Sequence, residues 1–160
     1  ELMSIDATDI QLLDSLQNDA SLSNQALAEH VHVSPPTCLR RVKRLRDAGL
    51  IEREVALLSP DKLAAVLGHG LTALIEITLD RQGAEQLGAF EDRVVADDAV
   101  QQCYRVSPGP DFVLVVHVAD MPQYLAFAQR LFTSDANVRN VKAFFSTKRA
   151  KFKPKVLLAP

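Results

Sequence analysis

Residues 34–49, Ser-Pro-Pro-Thr-Cys-Leu-Arg-Arg-Val-Lys-Arg-Leu-Arg-Asp-Ala-Gly, leave this part of the chain little conformational choice. Ser34 is a good helix N-cap. Pro35 suits the first helical position, where a missing N–H costs nothing, and Gly49 suits the C-terminal stop. The segment predicts a helix bounded at both ends. Cys38, Val42 and Leu45, with Leu39 beside them, fall on one side at helical spacing. At about 100° per residue, Pro36, Arg40, Lys43, Arg44 and Asp47 fall on the other, with Thr37 and Arg41 towards the edges. No Lys or Arg precedes Arg40, and five then arrive in the seven residues Arg40 to Arg46. An apolar back and a cationic front suit a helix lying in a DNA groove; an ordinary solvated face has the same pattern.

The balance of charge favours the first reading. The 160-residue chain is 48% hydrophobic and 24% charged, as globular proteins are, and its net charge is −2. Any nucleic-acid contact must therefore come from a local cluster. The first fifty residues set seven acids (Glu1, Asp6, Asp9, Asp14, Asp19, Glu29 and Asp47) against those five bases. Upstream, Asp6 can cap a helix running to about Gln17, with Ile10, Leu13 and Leu16 inward. Ser23 can cap a short helix from Asn24 to Val31, with Leu27, Ala28 and Val31 inward. His32-Val33 joins it to Ser34. A supporting helix, a short helix and a tight turn into a third make a helix-turn-helix. His32 stands where such turns often use Gly, and His is among the residues enriched at positive φ.

Beyond Gly49 the pattern changes. Glu52 to Leu58 reads as a connecting strand, and Ser59-Pro60-Asp61 opens a short helical turn through Ala65. The domain boundary is placed near residue 60, giving domains 1–60 and 61–160. Strands are expected at 71–79, 100–106, 112–118 and 138–147, with helices at 84–96 and 121–132. Leu71, Ala73, Ile75, Ile77 and Leu79 alternate onto one strand face. Leu87, Phe90 and Val94/Val95 point inward from the first of these helices, and Tyr124, Leu125, Ala128 and Leu131 from the second. The order βαββαβ is the ferredoxin-like arrangement, so the chain is of the α+β class. Both helices of that fold cover one sheet face. Yet residues 112–116 are apolar at every position, so the other face should pack on a second copy of the sheet. The basic run from Lys148 to Lys155 reads as a solvated tail.

No catalytic constellation emerges. His30, His32, His69 and His117 are scattered, and Cys38 and Cys103 form neither a disulfide framework nor a metal-ligand spacing. With no apolar run near eighteen residues and no basic-then-apolar leader, a cytoplasmic protein without a cofactor, metal or membrane contact is expected. The loop Ser107-Pro108-Gly109-Pro110-Asp111 is a plausible turn on composition alone. Its exposed N–H groups and Asp111 also suit a ligand carboxylate and ammonium.

With these motifs in place, the chain resembles the Lrp/AsnC, or feast/famine, transcription regulators over nearly its whole length, from Ile5-Asp6 to Phe152. The resemblance is carried by Leu27-Ala28, by Leu39-Arg40-Arg41-Val42-Lys43-Arg44-Leu45 and by Gly49-Leu50-Ile51. Cys103-Tyr104 and Ser107…Asp111-Phe112 carry it in the second domain. It implies a homodimer built through the C-terminal sheets, assembled further into tetramers or octamers. It also implies an amino acid or related small molecule as effector near the 107–111 loop, at Ser107, Gly109 and Asp111. One departure is Pro108, which stands where the family pattern has Gly and which lacks a backbone donor. Helix geometry puts Ser34, Pro36, Thr37 and Arg40 nearest base edges of double-stranded DNA. Arg41, Lys43, Arg44 and Arg46 are then expected on phosphates or along the surface, and Asn24 and Gln25 on the DNA backbone. The other reading, a small-molecule sensor whose N-terminal domain docks a protein, sits poorly with so many lysines and arginines on one face.

Overall fold

The computed structural model describes residues 3–158. The chain divides into two compact units, Glu1–Leu57 with Lys151–Pro160, and Leu58–Ala150. The sequence set the boundary near 60 and the tail in the second domain. The tail clusters instead with the first unit, because Lys155 and Val156 bind its first helix.

In the first unit, α1 (Ala7–Asn18), α2 (Asn24–His30) and α3 (Pro35–Asp47) surround a core of Leu12, Leu27, Ala28, Val31, Cys38, Val42 and Leu45. All three helices begin on side-chain caps. Asp6 accepts from the Asp9 N–H, Ser23 from Ala26 and Ser34 from Thr37. Each cap satisfies an N–H that the helix cannot. His32 adopts φ 59° in the α2–α3 turn, and the Val33 N–H donates to the Ala28 carbonyl at 3.0 Å. Two inward assignments change. Leu39 is 61% exposed, since it lies about a quarter-turn from Cys38. In α1 the deepest residues are Asp9, Leu12 and Ser15, while Leu13 and Leu16 are only partly covered.

The second unit begins with α4 (Pro60–Leu67), longer than the expected turn, capped by Ser59 and ended by Gly68 at φ 78°. Residues 52–58 form no strand. They pair with no other strand, and alternation without a partner does not make a ladder. The order that follows is β1 (Leu71–Leu79), α5 (Ala84–Val95), β2 (Val100–Arg105), β3 (Phe112–Val118), α6 (Met121–Ala128), a π-helical turn (Gln129–Thr133) and β4 (Val138–Phe145). The sheet is antiparallel with order β2-β3-β1-β4, the ferredoxin-like topology. β1 fills its core face with Ala73, Ile75, Ile77 and Leu79, all fully buried, as the alternation predicts. Phe112, Leu114 and Val116 continue that face from β3, and Phe90, Val94, Tyr124, Phe127, Leu131 and Phe132 cover it from the helices. Phe90 lies 4.9 Å from Phe112 between ring centroids, and Phe127 meets Phe132 edge-on at 5.3 Å. The π-helical turn shifts the helical register after α6. Leu131 and Phe132 are therefore buried side by side. Within α6 itself Tyr124 and Phe127, three residues apart, face inward, whereas Leu125 is 60% exposed. Val95, one residue past the buried Val94, is also exposed. Among the described residues no helix is long and apolar enough to cross a membrane.

Candidate nucleic-acid interface and effector loop

The cationic face of α3 is divided by its partners. Arg41 donates from Nη1 to both Asp6 oxygens, at 2.9 and 2.8 Å, and to Asp9 Oδ1 at 3.0 Å. Arg44 reaches the other Asp9 oxygen, and its Nη1 donates to the Ser4 carbonyl at 3.3 Å. Asp9 is 1% exposed and also accepts from the Asp6 N–H at 3.2 Å, so it closes a capping box while binding two guanidinium groups. The Asp9 N–H and then Arg41 hold the Asp6 carboxyl below the usual aspartate range, and the two acids in turn hold Arg41 more firmly protonated. Arg41 Nε is buried with no hydrogen-bond partner among the described residues. Lys43 pairs with Asp47 one turn on, and Arg46 with Glu54. Arg40 alone of the five bases has no ion-pair partner among the described residues. It lines an open cleft of about 330 Å³ with Asp6, Arg41 and Arg44.

The residues expected near base edges cluster at the start of the same helix. Ser34 donates its hydroxyl to Thr37 Oγ1 at 2.9 Å and accepts the Thr37 N–H at 3.4 Å, while Pro36 is exposed beside them. Asn24 is already engaged: its Nδ2 donates to the Pro35 carbonyl at 2.9 Å, tying the start of α2 to the start of α3. Gln25 is exposed at the same end of α2. Asp9 is the residue the sequence reading missed. Its signal was present, since Asp6 and Asp9 are three apart on one helix and Arg41 and Arg44 three apart on another. Two acids and two bases at matched spacing can pair face to face.

In the second unit Ser107, Pro108 and Gly109 form an exposed tip, with a cis Ser107–Pro108 bond and Gly109 at φ 112°. Asp111 lies deeper. Its N–H donates to the Ile77 carbonyl at 2.8 Å, and its Oδ2 accepts the Leu79 N–H at 2.7 Å. The carboxylate therefore extends the β1–β3 ladder past Phe112, and one oxygen is committed to the backbone. Burial pushes the Cys38 and Cys103 thiols up, the reverse of an activated nucleophile. Among the described residues no group of three His, Cys, Asp or Glu side chains is placed to hold a metal.

Comparison with known proteins matches both units. Residues 72–156 fit the Lrp/AsnC ligand binding domain, and residues 5–52 a winged helix-turn-helix DNA-binding domain. The DNA-binding transcriptional activator DecR of Escherichia coli K12 is 36% identical over 148 residues, which covers 92% of this chain and 95% of that protein. The leucine-responsive regulatory protein of Rhizobium meliloti is 33% identical over 147 residues, 92% of each chain. Among solved structures, the transcriptional regulator NMB0573 of Neisseria meningitidis, crystallised as an L-Met complex, superposes with a TM-score of 0.84 at 30% identity. It covers 96% of this chain and 97% of its own. Escherichia coli AsnC shares the fold, with a TM-score of 0.80 at 19% identity over 96% of this chain and 99% of its own. The chain belongs to the Lrp/AsnC family and is a helix-turn-helix transcriptional regulator.

Proposed function

We propose that the chain binds operator DNA through α3, with Arg40 as its principal base reader, and that an amino acid modulates the binding. The observation that carries the first part is the unequal pairing of the α3 bases. Arg40 is exposed and free of ion pairs among the described residues, so its guanidinium can fork onto a guanine edge without first losing a partner. Ser34, Pro36 and Thr37 flank the approach from the N-terminal end of the helix. Lys43 and Asp47 are 74% and 62% exposed, so their pair is weak and gives way readily to a phosphate. Arg44 keeps 47% of its side chain in solvent and can add a phosphate contact while holding Asp9. Arg41 acts mainly by bracing α3 against α1. Gln25 is free to meet the DNA backbone, and Asn24 orients the turn.

The measurement is a gel-shift titration at fixed salt. Arg40→Ala should cost about 1–3 kcal/mol at a specific operator, and Lys43→Ala should weaken all sequences alike and lower the salt slope by about one. Equal affinities of Arg40→Ala and wild type would sink the assignment. The operator should be a rough palindrome with half-sites about one helical turn apart, or a multiple.

The effector reading rests on the ligand-binding-domain match and on the L-Met complex of the Neisseria relative. Ser107 and Gly109 at the loop tip would meet the ligand carboxylate, and the oxygen of Asp111 not held by Leu79 its ammonium. Repeating the titration with a panel of amino acids, L-methionine included, tests this. An operator affinity indifferent to all of them would remove the sensor half. The bare sheet face carries Leu74, Tyr104 and Phe144, 42%, 54% and 49% exposed, which supports a homodimer through that face. A cytoplasmic location follows from the proposed partner, DNA.

A further inference from the structure

The basic C-terminal run has no part in the sites above, yet its last residues are held on α1. Gln17, in the last turn of α1, donates from Nε2 to the Val156 carbonyl at 2.7 Å and accepts the Val156 N–H on Oε1 at 2.8 Å. One side-chain amide therefore satisfies both backbone groups of one residue, as a neighbouring strand would. Among side chains only Asn and Gln carry an amide, whose N–H and C=O can face those of a backbone residue together. Gln17 Nε2 also donates to Asp14 Oδ1 at 3.0 Å, and that oxygen receives the Lys155 ammonium at 3.2 Å. Asp14 and Gln17 are three residues apart, so both stand on one face of α1. Gln17, then Lys155, holds the Asp14 carboxyl below the usual aspartate range.

We propose that the Asp14–Gln17 face of α1 is a docking site for an extended, lysine-bearing segment, and that its occupant is residues 154–157 of the same chain. The site reads a register. A lysine must precede the residue whose N–H and C=O face the amide, and Lys155-Val156 supplies that order. Pro154 restricts the backbone ahead of it. The hydrogen bonds to Gln17 are exposed, so they would hold a free peptide poorly. They hold this one because it is covalently attached and its local concentration is high. Residues 58–150 are then a loop with both ends fixed to the first unit.

Hydrogen exchange on the full-length protein reads the docking directly. The Val156 amide should exchange about tenfold more slowly than an unprotected amide. Gln17→Ala should abolish that protection while Leu12 to Leu16 of α1 keep theirs. Lys155→Glu leaves α1 unaltered, sets two carboxylates together, and should abolish it as well. Protection absent in the wild type, or surviving both substitutions, would overturn the proposal. So would its return in Gln17→Ala protein mixed with a chain truncated after Lys153, because the tail would then be docking on another copy.

Discussion

At Asp9 a single carboxylate gathers two guanidinium groups and a backbone N–H. It is buried, accepts the Asp6 N–H, and binds Arg41 and Arg44. Removing one partner of such a cluster strands charge in a poorly solvated place. Asp9→Ala should destabilise the first unit by about 1–3 kcal/mol, since Arg44 is half in solvent and Arg41 keeps Asp6, seen as faster amide exchange in α1 and α3, whereas Leu39→Ala should change little. Unchanged exchange in Asp9→Ala would mean that the cluster contributes nothing to holding α1 on α3. Asp6 sets the pH dependence. Its carboxyl is lowered in the folded chain, so its stabilisation is complete above the usual aspartate range and is lost as the pH falls through and below it. Acid should thus loosen α1 from α3, and Asp6→Asn should blunt that response in exchange measurements across the acid range. Much of this was legible, since the five bases and the cap at Asp6 stand out in the sequence. Which bases were spoken for was not, because an acid at the third position of a helix usually reads only as a capping partner.

The elements themselves were mostly readable, and the departures have local causes. β1 was plain from period-two alternation with one buried face. The second half of that segment was not: the π-helical turn after α6 breaks the 3.6 period and buries Phe132 beside Leu131, while Leu125, one residue past the buried Tyr124, points outward. The 107–111 loop was legible as a turn, but not the hydrogen bond from the Leu79 N–H to Asp111. That contact depends on where β1 and β3 stop pairing, which composition does not encode. Asp111→Ala should leave the Leu79 N–H without its acceptor and accelerate its exchange, while Asp111→Asn, which keeps a carbonyl oxygen, should restore most of the protection. If Ala and Asn behave alike, the carboxylate is free for a ligand and the strand-capping role is wrong. The same pair of variants in an effector titration separates a damaged scaffold from a lost ammonium contact.

For the molecule as a whole, the ferredoxin-like order was legible and so was the reason to expect a partner for its bare face. The proposed homodimer predicts that Phe144→Lys or Leu74→Glu shifts sedimentation towards monomer at micromolar concentration without disturbing the core face, since both residues point away from it. A dimer that survives both changes would have to be built elsewhere. The tail could not be read as anything but solvated, because its partners lie 139 residues upstream and no periodicity links the two. That separation also has a consequence in time. On a ribosome adding about 5–20 residues each second, Gln17 joins the chain roughly 7–28 seconds before Val156. The helix-turn-helix core, built from neighbouring stretches, can form early, but the Asp14–Gln17 face waits for residues 154–157. A stalled or prematurely ended message would yield a regulator with a complete recognition helix and an open Asp14–Gln17 face. Synthesis of residues 154–157 is then the event that covers that face.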